Sequence, residues 1–156
     1  FNGVATIVSK LFELFKPNQA FFGEKDFQQT QIIKRLINLE KHNTKLIICP
    51  TIREKNGLAM SSRNSLLSQK NRENSSIIFH SLNYVKTHFK KTDFDEIISK
   101  CIKSINSCDG FKTEYFEIVD SFSLSKQKKY CKNKSYRVFV SVIVDEVRLI
   151  DNILLN

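Results

Sequence analysis

The 156 residues hold two prolines, four glycines, three histidines and four cysteines, and each shortage closes off a class of answer. No C-x-x-C pair occurs: Cys49, Cys101, Cys108 and Cys131 are scattered, as are His42, His80 and His88. That pattern argues against a zinc site and against a disulfide framework in a chain of this size, and favours free thiols in a reducing compartment. There is no glycine-lysine loop of the Walker type and no G-x-G-x-x-G, so neither a P-loop nor a dinucleotide fold is supported. No apolar run approaches the ~20 residues that span a bilayer. The opening stretch carries Lys10 and Glu13 at helical spacing and no small-residue cleavage site, which does not read as a signal peptide. The expectation is a soluble cytoplasmic protein with no membrane partner. Internal repeats and low-complexity linkers are also missing.

What is present begins with charge. A formal net charge of +9 invites a nucleic-acid reading. Lysine and asparagine are nevertheless spread along the whole chain, while Gly, Pro and Ala are scarce. An AT-rich coding sequence produces that bias without a polyanion partner. The densest cluster, Lys126 to Lys134, lies between two strand-like runs and reads as a solvated loop. No nucleic-acid partner is expected.

Val4, Ile7, Val8, Leu11, Leu14 and Phe15 recur at helical spacing, predicting a helix over residues 3–15 that Pro17 stops. Residues 19–22 form a short apolar strand ending at Gly23. A second helix is expected from about Asp26 to Lys41, with Phe27, Ile32, Ile33, Leu36 and Ile37 inward, followed by a strand from Lys45 to Cys49 closed by Pro50. Helix, strand, helix and strand with short connections indicate a parallel sheet with crossover helices. After Pro50 the character changes. Residues 51–64 are a polar turn region, Ser68 is a plausible N-cap for one helix running through Ile77 to Val85, and residues 94–105 form another, closed by Gly110. Strands follow at residues 115–119, 136–144 and 147–155. The boundary falls near Thr51, giving a first domain of 1–51 and a small α+β domain of 52–156.

Two strings carry the chemistry. In the first, residues 22–29 (FGEKDFQQ), Gly23 stands at the carboxyl end of a strand, where ligands of α/β sheets bind, and its missing Cβ allows close approach. Lys25 offers a point charge to phosphate oxygens. Asp26 can serve a ribose hydroxyl or metal-bound water, and Gln29 sits one turn into the helix. A capping box of Asp26 and Gln29 explains both without a ligand. In the second, residues 57–64 (GLAMSSRN), two hydroxyls and Arg63 follow a glycine, forming a mobile arm that can close over a triphosphate; the guanidinium grips two oxygens and meets charge building on pyrophosphate. An ordinary Ser-Ser turn with a surface arginine is the alternative. Together the strings argue for a nucleotide-using enzyme that activates a carboxylate.

The combination of residues 22–29, residues 49–54 (CPTIRE), residues 57–64 and residues 148–152 (RLIDN) resembles the pantoate–β-alanine ligase family, as does the opening string, residues 1–12 (FNGVATIVSKLF). The likeness runs from end to end and is weakest over residues 69–112. It implies part of a Rossmann-like nucleotidyltransferase domain followed by a small C-terminal domain, and a homodimer when complete. It also implies adenylation of pantoate by ATP with Mg²⁺, then attack of β-alanine to give pantothenate and AMP. By motif, Gly23, Glu24, Lys25 and Asp26 line the ATP site and Gln29 binds pantoate. Ile52 contacts adenine through its backbone, while Met60, Ser61, Ser62 and Arg63 close over the phosphates, with Lys25, Ser61, Ser62 and Arg63 as the catalytic set. The family's histidine-rich ATP motif and second pantoate glutamine have no counterpart in this sequence. The expectation is therefore a downstream portion, inactive alone and poorly soluble through an exposed sheet edge. Other readings are a related adenylyltransferase acting on a different acid, a basic nucleic-acid module, and a non-catalytic remnant that binds a partner.

Overall fold

The computed structural model describes residues 2–156; Phe1, which opens the family-like string, lies outside the described residues. The chain divides into two compact units, Phe1–Thr51 and Ile52–Asn156.

In the first unit, α1 (Asn2–Phe15), β1 (Gln19–Gly23), α2 (Phe27–Leu39) and β2 (Lys45–Cys49) follow in order. The strands pair in parallel, with Gln19 opposite Lys45 and Gly23 opposite Cys49. A crossover helix is what parallel pairing requires, and α2 supplies it. Phe12, Ile33 and Ile37 form the core, joined by Val4, Val8, Ala20, Phe22, Leu36 and Leu46. The helix expected from Asp26 instead opens with a 3-10 turn over Glu24–Asp26, and it ends at Leu39. Ile32 and Leu36 are only half-buried, and Thr30 is buried in their place, its hydroxyl donating to the Phe27 carbonyl at 2.7 Å. A threonine satisfied within its own turn can occupy a core position at little cost. Phe21 on the sheet, and Ile7, Leu11 and Leu14 on α1, remain exposed.

The second unit packs α4 (Ser76–His88) and α5 (Phe94–Asn106) against an antiparallel sheet of β3 (Phe111–Asp120), β4 (Tyr136–Val144) and β5 (Val147–Leu154), ordered β3-β4-β5. Tyr136, Val138, Val140, Val142 and Val144 alternate into the core, where they meet Ile78, Leu82 and Val85 of α4 and Ile97, Cys101 and Ile105 of α5. Burial pushes the Cys101 thiol up to about 11, so it behaves as a small apolar side chain. The single helix expected after Ser68 is two. Ser68 does cap a helix, α3 (Gln69–Asn74), its hydroxyl accepting from the Asn71 amide, but the chain bends at buried Ser75. The Ser75 hydroxyl donates to the Asn71 carbonyl at 2.6 Å, and bonding of that kind bends helices. Likewise α5 ends at Asn106, and Gly110, with φ +79°, serves the turn into β3, which starts four residues earlier than expected.

Between β3 and β4 runs the lysine-rich loop. Its base is held by Tyr136, whose ring meets Phe89, Phe94 and Tyr130 in the core. The Tyr136 hydroxyl accepts from the Cys131 amide at 2.6 Å.

Candidate functional site

Gly23 ends β1 directly before the 3-10 turn of Glu24–Asp26, at the carboxyl end of the parallel pair. Its φ of −72° is open to any residue, and no atom lies within 4 Å of where a Cβ would stand. Neither backbone conformation nor packing requires a glycine there. Glu24 and Lys25 are half-buried beside it, and Asp26 is exposed. The capping box does not form: Asp26 occupies the N-cap of α2 without a side-chain hydrogen bond to it. Its carboxylate is thus left to the surface above the strand ends. Half-buried Gln29 lies within the first turn of α2 on the same segment.

The second string follows a hairpin. Arg53 bridges to Ala59, the Glu54 amide donates to the Leu58 carbonyl at 2.8 Å, and the Met60 amide donates to the Ile52 carbonyl at 2.9 Å. Gly57 makes the tip possible. Its φ is +92°, and a Cβ would collide with the Phe79 ring. The arm that emerges folds into a capped turn. Ser61 caps a 3-10 turn over Ser62–Leu66, its hydroxyl accepting from the Arg63 amide at 3.2 Å. Ser62 and Arg63 are exposed, as are Met60 and Ile52. The Arg63 guanidinium makes no hydrogen bond or ion pair with the described residues, so a cation able to hold two phosphate oxygens stands uncommitted on a fixed backbone.

Two ion pairs fix that backbone, and sequence reasoning gave neither a role. Arg53 meets buried Asp151 of β5 through both guanidinium nitrogens, at 2.6 and 3.0 Å, donates to the Gly57 carbonyl at 3.1 Å, and lies 4.0 Å above the Phe79 ring. Arg72 of α3 grips Glu54 through Nε and one terminal nitrogen, at 2.9 and 3.0 Å. The Arg72 hydrogen bond, with a smaller one from Asn64, holds the Glu54 carboxyl below its usual range. Arg53, Glu54, Asn64 and Asp151 all fall in strings singled out above; Arg72 falls in none, and only its place one turn into a helix after Ser68 hinted at it.

Among the described residues, no group of three or more His, Cys, Asp or Glu gathers to hold a metal. The carboxylates of Glu24 and Asp26 are hard oxygen donors of the kind that, one or two at a time, suit magnesium carried on nucleotide phosphates.

A family model described as Pantoate-beta-alanine ligase matches residues 1–154. Pantothenate synthetase of Flavobacterium psychrophilum is 44% identical over 156 residues, all of this chain and 55% of that protein. That of Azobacteroides pseudotrichonymphae is 44% identical over 153 residues, 98% of this chain and 55% of that protein. Among solved structures, the pantothenate synthetase of Thermus thermophilus superposes with a TM-score of 0.89 at 31% identity, covering 99% of this chain and 56% of that one. The pantoate-beta-alanine ligase of Francisella tularensis, complexed with beta-gamma ATP and beta-alanine, does so with a TM-score of 0.68 at 32% identity, covering 98% of this chain and 49% of that one. The chain spans about half the length of the relatives it matches. A parallel αβ unit with an open glycine at its strand ends, a tethered serine–arginine arm, and a family match that spans residues 1–154 lead to one conclusion: this chain belongs to the pantoate–β-alanine ligase family.

Proposed function

We propose that this chain supplies the downstream part of an enzyme that condenses pantoate with β-alanine at the expense of ATP. The first unit is then part of a Rossmann-like nucleotide-binding domain and the second a small C-terminal domain. In the first step a pantoate carboxylate oxygen attacks the α-phosphorus, the bond to the bridging oxygen breaks, and pyrophosphate leaves. In the second step the β-alanine amine attacks the acyl carbon of pantoyl adenylate, loses a proton to solvent and displaces AMP, giving pantothenate.

The chemistry needs no side-chain nucleophile. It needs two anions brought together and the charge on the leaving group met, which positioning and fixed cations provide. Gly23, Glu24, Lys25 and Asp26 take the role of an ATP floor, with Lys25 on phosphate oxygens. Gln29 binds pantoate. Ile52 offers its backbone to adenine, and Met60, Ser61, Ser62 and Arg63 serve the phosphates. Magnesium carried on the nucleotide would be held by Asp26 or Glu24 and would supply charge neutralisation. The observation that carries this reading is the uncommitted Arg63 guanidinium on its tethered arm. By family resemblance the assembled enzyme is a homodimer of the cytoplasm with no nucleic-acid partner. No helix among the described residues is long and apolar enough to cross a membrane.

The test is to supply the upstream half of the Flavobacterium psychrophilum relative as a second polypeptide and to measure AMP release with and without pantoate. Pantoate-dependent release is expected from the mixture and none from this chain alone. Release that ignores pantoate, or pantothenate made by the isolated polypeptide, overturns the reading.

A further inference from the structure

The cluster around Asn64 binds no ligand in the reading above, yet it is the most constrained polar group near the arm. Asn64 is 2% exposed. Its side-chain nitrogen donates to Glu54 Oε1 at 2.7 Å and to the Ala59 carbonyl at 3.1 Å, while its Oδ1 is buried without a partner. Both acceptors face the nitrogen, which fixes the amide orientation. A buried orphan oxygen is costly, so the site keeps asparagine for its two donors. One donor ties the strand that enters the arm. The other reaches Glu54, whose carboxylate is itself held by the Arg72 fork of α3. The arm leaves from Ala59 and returns at Asn64, so a single side chain closes the loop that carries Ser61, Ser62 and Arg63. The Asn64 backbone takes part as well, its amide donating to the Ser61 carbonyl at 3.0 Å.

We propose that Asn64, held through Glu54 by Arg72, is a positioning residue that fixes the Ser61–Arg63 arm for the phosphates of ATP. The inference rests on the proposed function for its ligand, and on hydrogen-bond geometry alone for the clamp. It also gives Glu54 and Asn64, which stand within family-like strings, a role that needs no contact with substrate.

Amide hydrogen exchange on the full chain reads the clamp without any activity. Asn64→Asp is isosteric but sets a carboxylate against Glu54. It should speed exchange of the amides of residues 63–67 by about tenfold or more, the scale of one lost hydrogen bond to a charged group, with α5 unchanged. Adding Glu54→Gln removes the carboxylate repulsion but restores neither the donor to the Ala59 carbonyl nor the full Arg72 fork, so it should recover only part of the protection. If Asn64→Asp does not fold, Arg72→Lys on the exposed face of α3 replaces it, keeping the charge and losing the fork. In the mixture with the upstream half, the same variants should lower kcat for adenylation about tenfold and raise KM for ATP while leaving KM for pantoate unchanged, whereas a smaller folded fraction would lower kcat alone. Unchanged exchange overturns the clamp. Faster exchange with unaltered kcat overturns its tie to ATP. A mixture of unsubstituted chains that releases no AMP refutes the proposed function instead, and exchange still decides whether the clamp holds the arm.

Discussion

Replacing Asp151 with asparagine isolates the pair that carries the hairpin. The side chain of Asp151 is 3% exposed and that of Arg53 18% exposed, and the two meet through a bidentate contact at 2.6 and 3.0 Å. Removing one member of a buried ion pair costs about 3–5 kcal/mol, because the surviving charge is left without its counterion. Two features of this site lower that figure. Arg53 keeps the Gly57 carbonyl and the Phe79 ring, and asparagine retains one acceptor oxygen. A loss of about 2 kcal/mol is expected. For a cooperative unit of roughly 100 residues, that lowers Tm by about 8–16 °C. Urea unfolding should show the midpoint moving at constant m, which marks a change in stability rather than in the denatured state. A paired Arg53→Met, Asp151→Leu variant should recover much of the loss, since well-packed apolar residues replace buried pairs at little cost. A shift of Tm under about 2 °C in Asp151→Asn would refute the claim that this pair carries the hairpin.

The two glycines of the site should part company. Gly57→Ala meets both a φ of +92° and the Phe79 ring and should destabilise by more than about 1 kcal/mol, whereas Gly23→Ala should leave the unfolding midpoint unchanged and weaken only ATP binding, as calorimetry would show. In the mixture with the upstream half, Lys25→Ala and Arg63→Ala should each slow adenylation by roughly 10²–10³, the scale of one lost charge-stabilising donor, and under about threefold at both positions removes their assigned roles. Changing Lys128 and Lys129 in the same assay should leave turnover as it was. The Glu54 carboxyl is held low chiefly by Arg72, so its contribution is present above the ordinary glutamate value of about 4.3 and lost as the pH falls through its lower folded-state value. Urea midpoints of the parent chain and Glu54→Gln should therefore converge as the pH drops below about 4, and a constant gap there would contradict the assignment.

The elements were readable where a period was strong. Val4, Ile7, Val8, Leu11, Leu14 and Phe15 marked α1 by their spacing, although Ile7, Leu11, Leu14 and Phe15 stay exposed and Phe12, outside that set, is the buried one. The β-branched and aromatic run of residues 136–144 marked β4. Boundaries failed where a side chain captured the backbone. Ser75 bends the chain through a bond to Asn71, an interaction that depends on a four-residue return no propensity encodes. The turn of Asp145 and Glu146 joins β4 to β5 with both residues at positive φ, without the Asn-Gly signal that usually announces such a hairpin. Of the candidate residues, Lys25 and Arg63 were legible as cations in suggestive places, each within its own unit. The supports were not: Arg53 and Asp151 lie 98 residues apart, and only the folded sheet brings β5 to the hairpin. The D-x-x-Q spacing of Asp26 and Gln29 misled in the other direction, since the 3-10 turn ahead of α2 leaves the capping bond unmade.

The phenol of Tyr136 secures the lysine-rich loop by way of main-chain groups, Lys126 and Lys134 reach Glu117 and Gln127, and the side chains of Lys128, Lys129 and Lys132 make no hydrogen bond or ion pair with the described residues. Such an arrangement separates a surface's charge from the stability beneath it. Exchange of charge at those three positions leaves the sheet underneath almost untouched. A basic isoelectric point near 9.4 can therefore be lowered without loosening the fold, and a variant with neutral residues at those three positions should keep its unfolding midpoint and its turnover in the mixture with the upstream half.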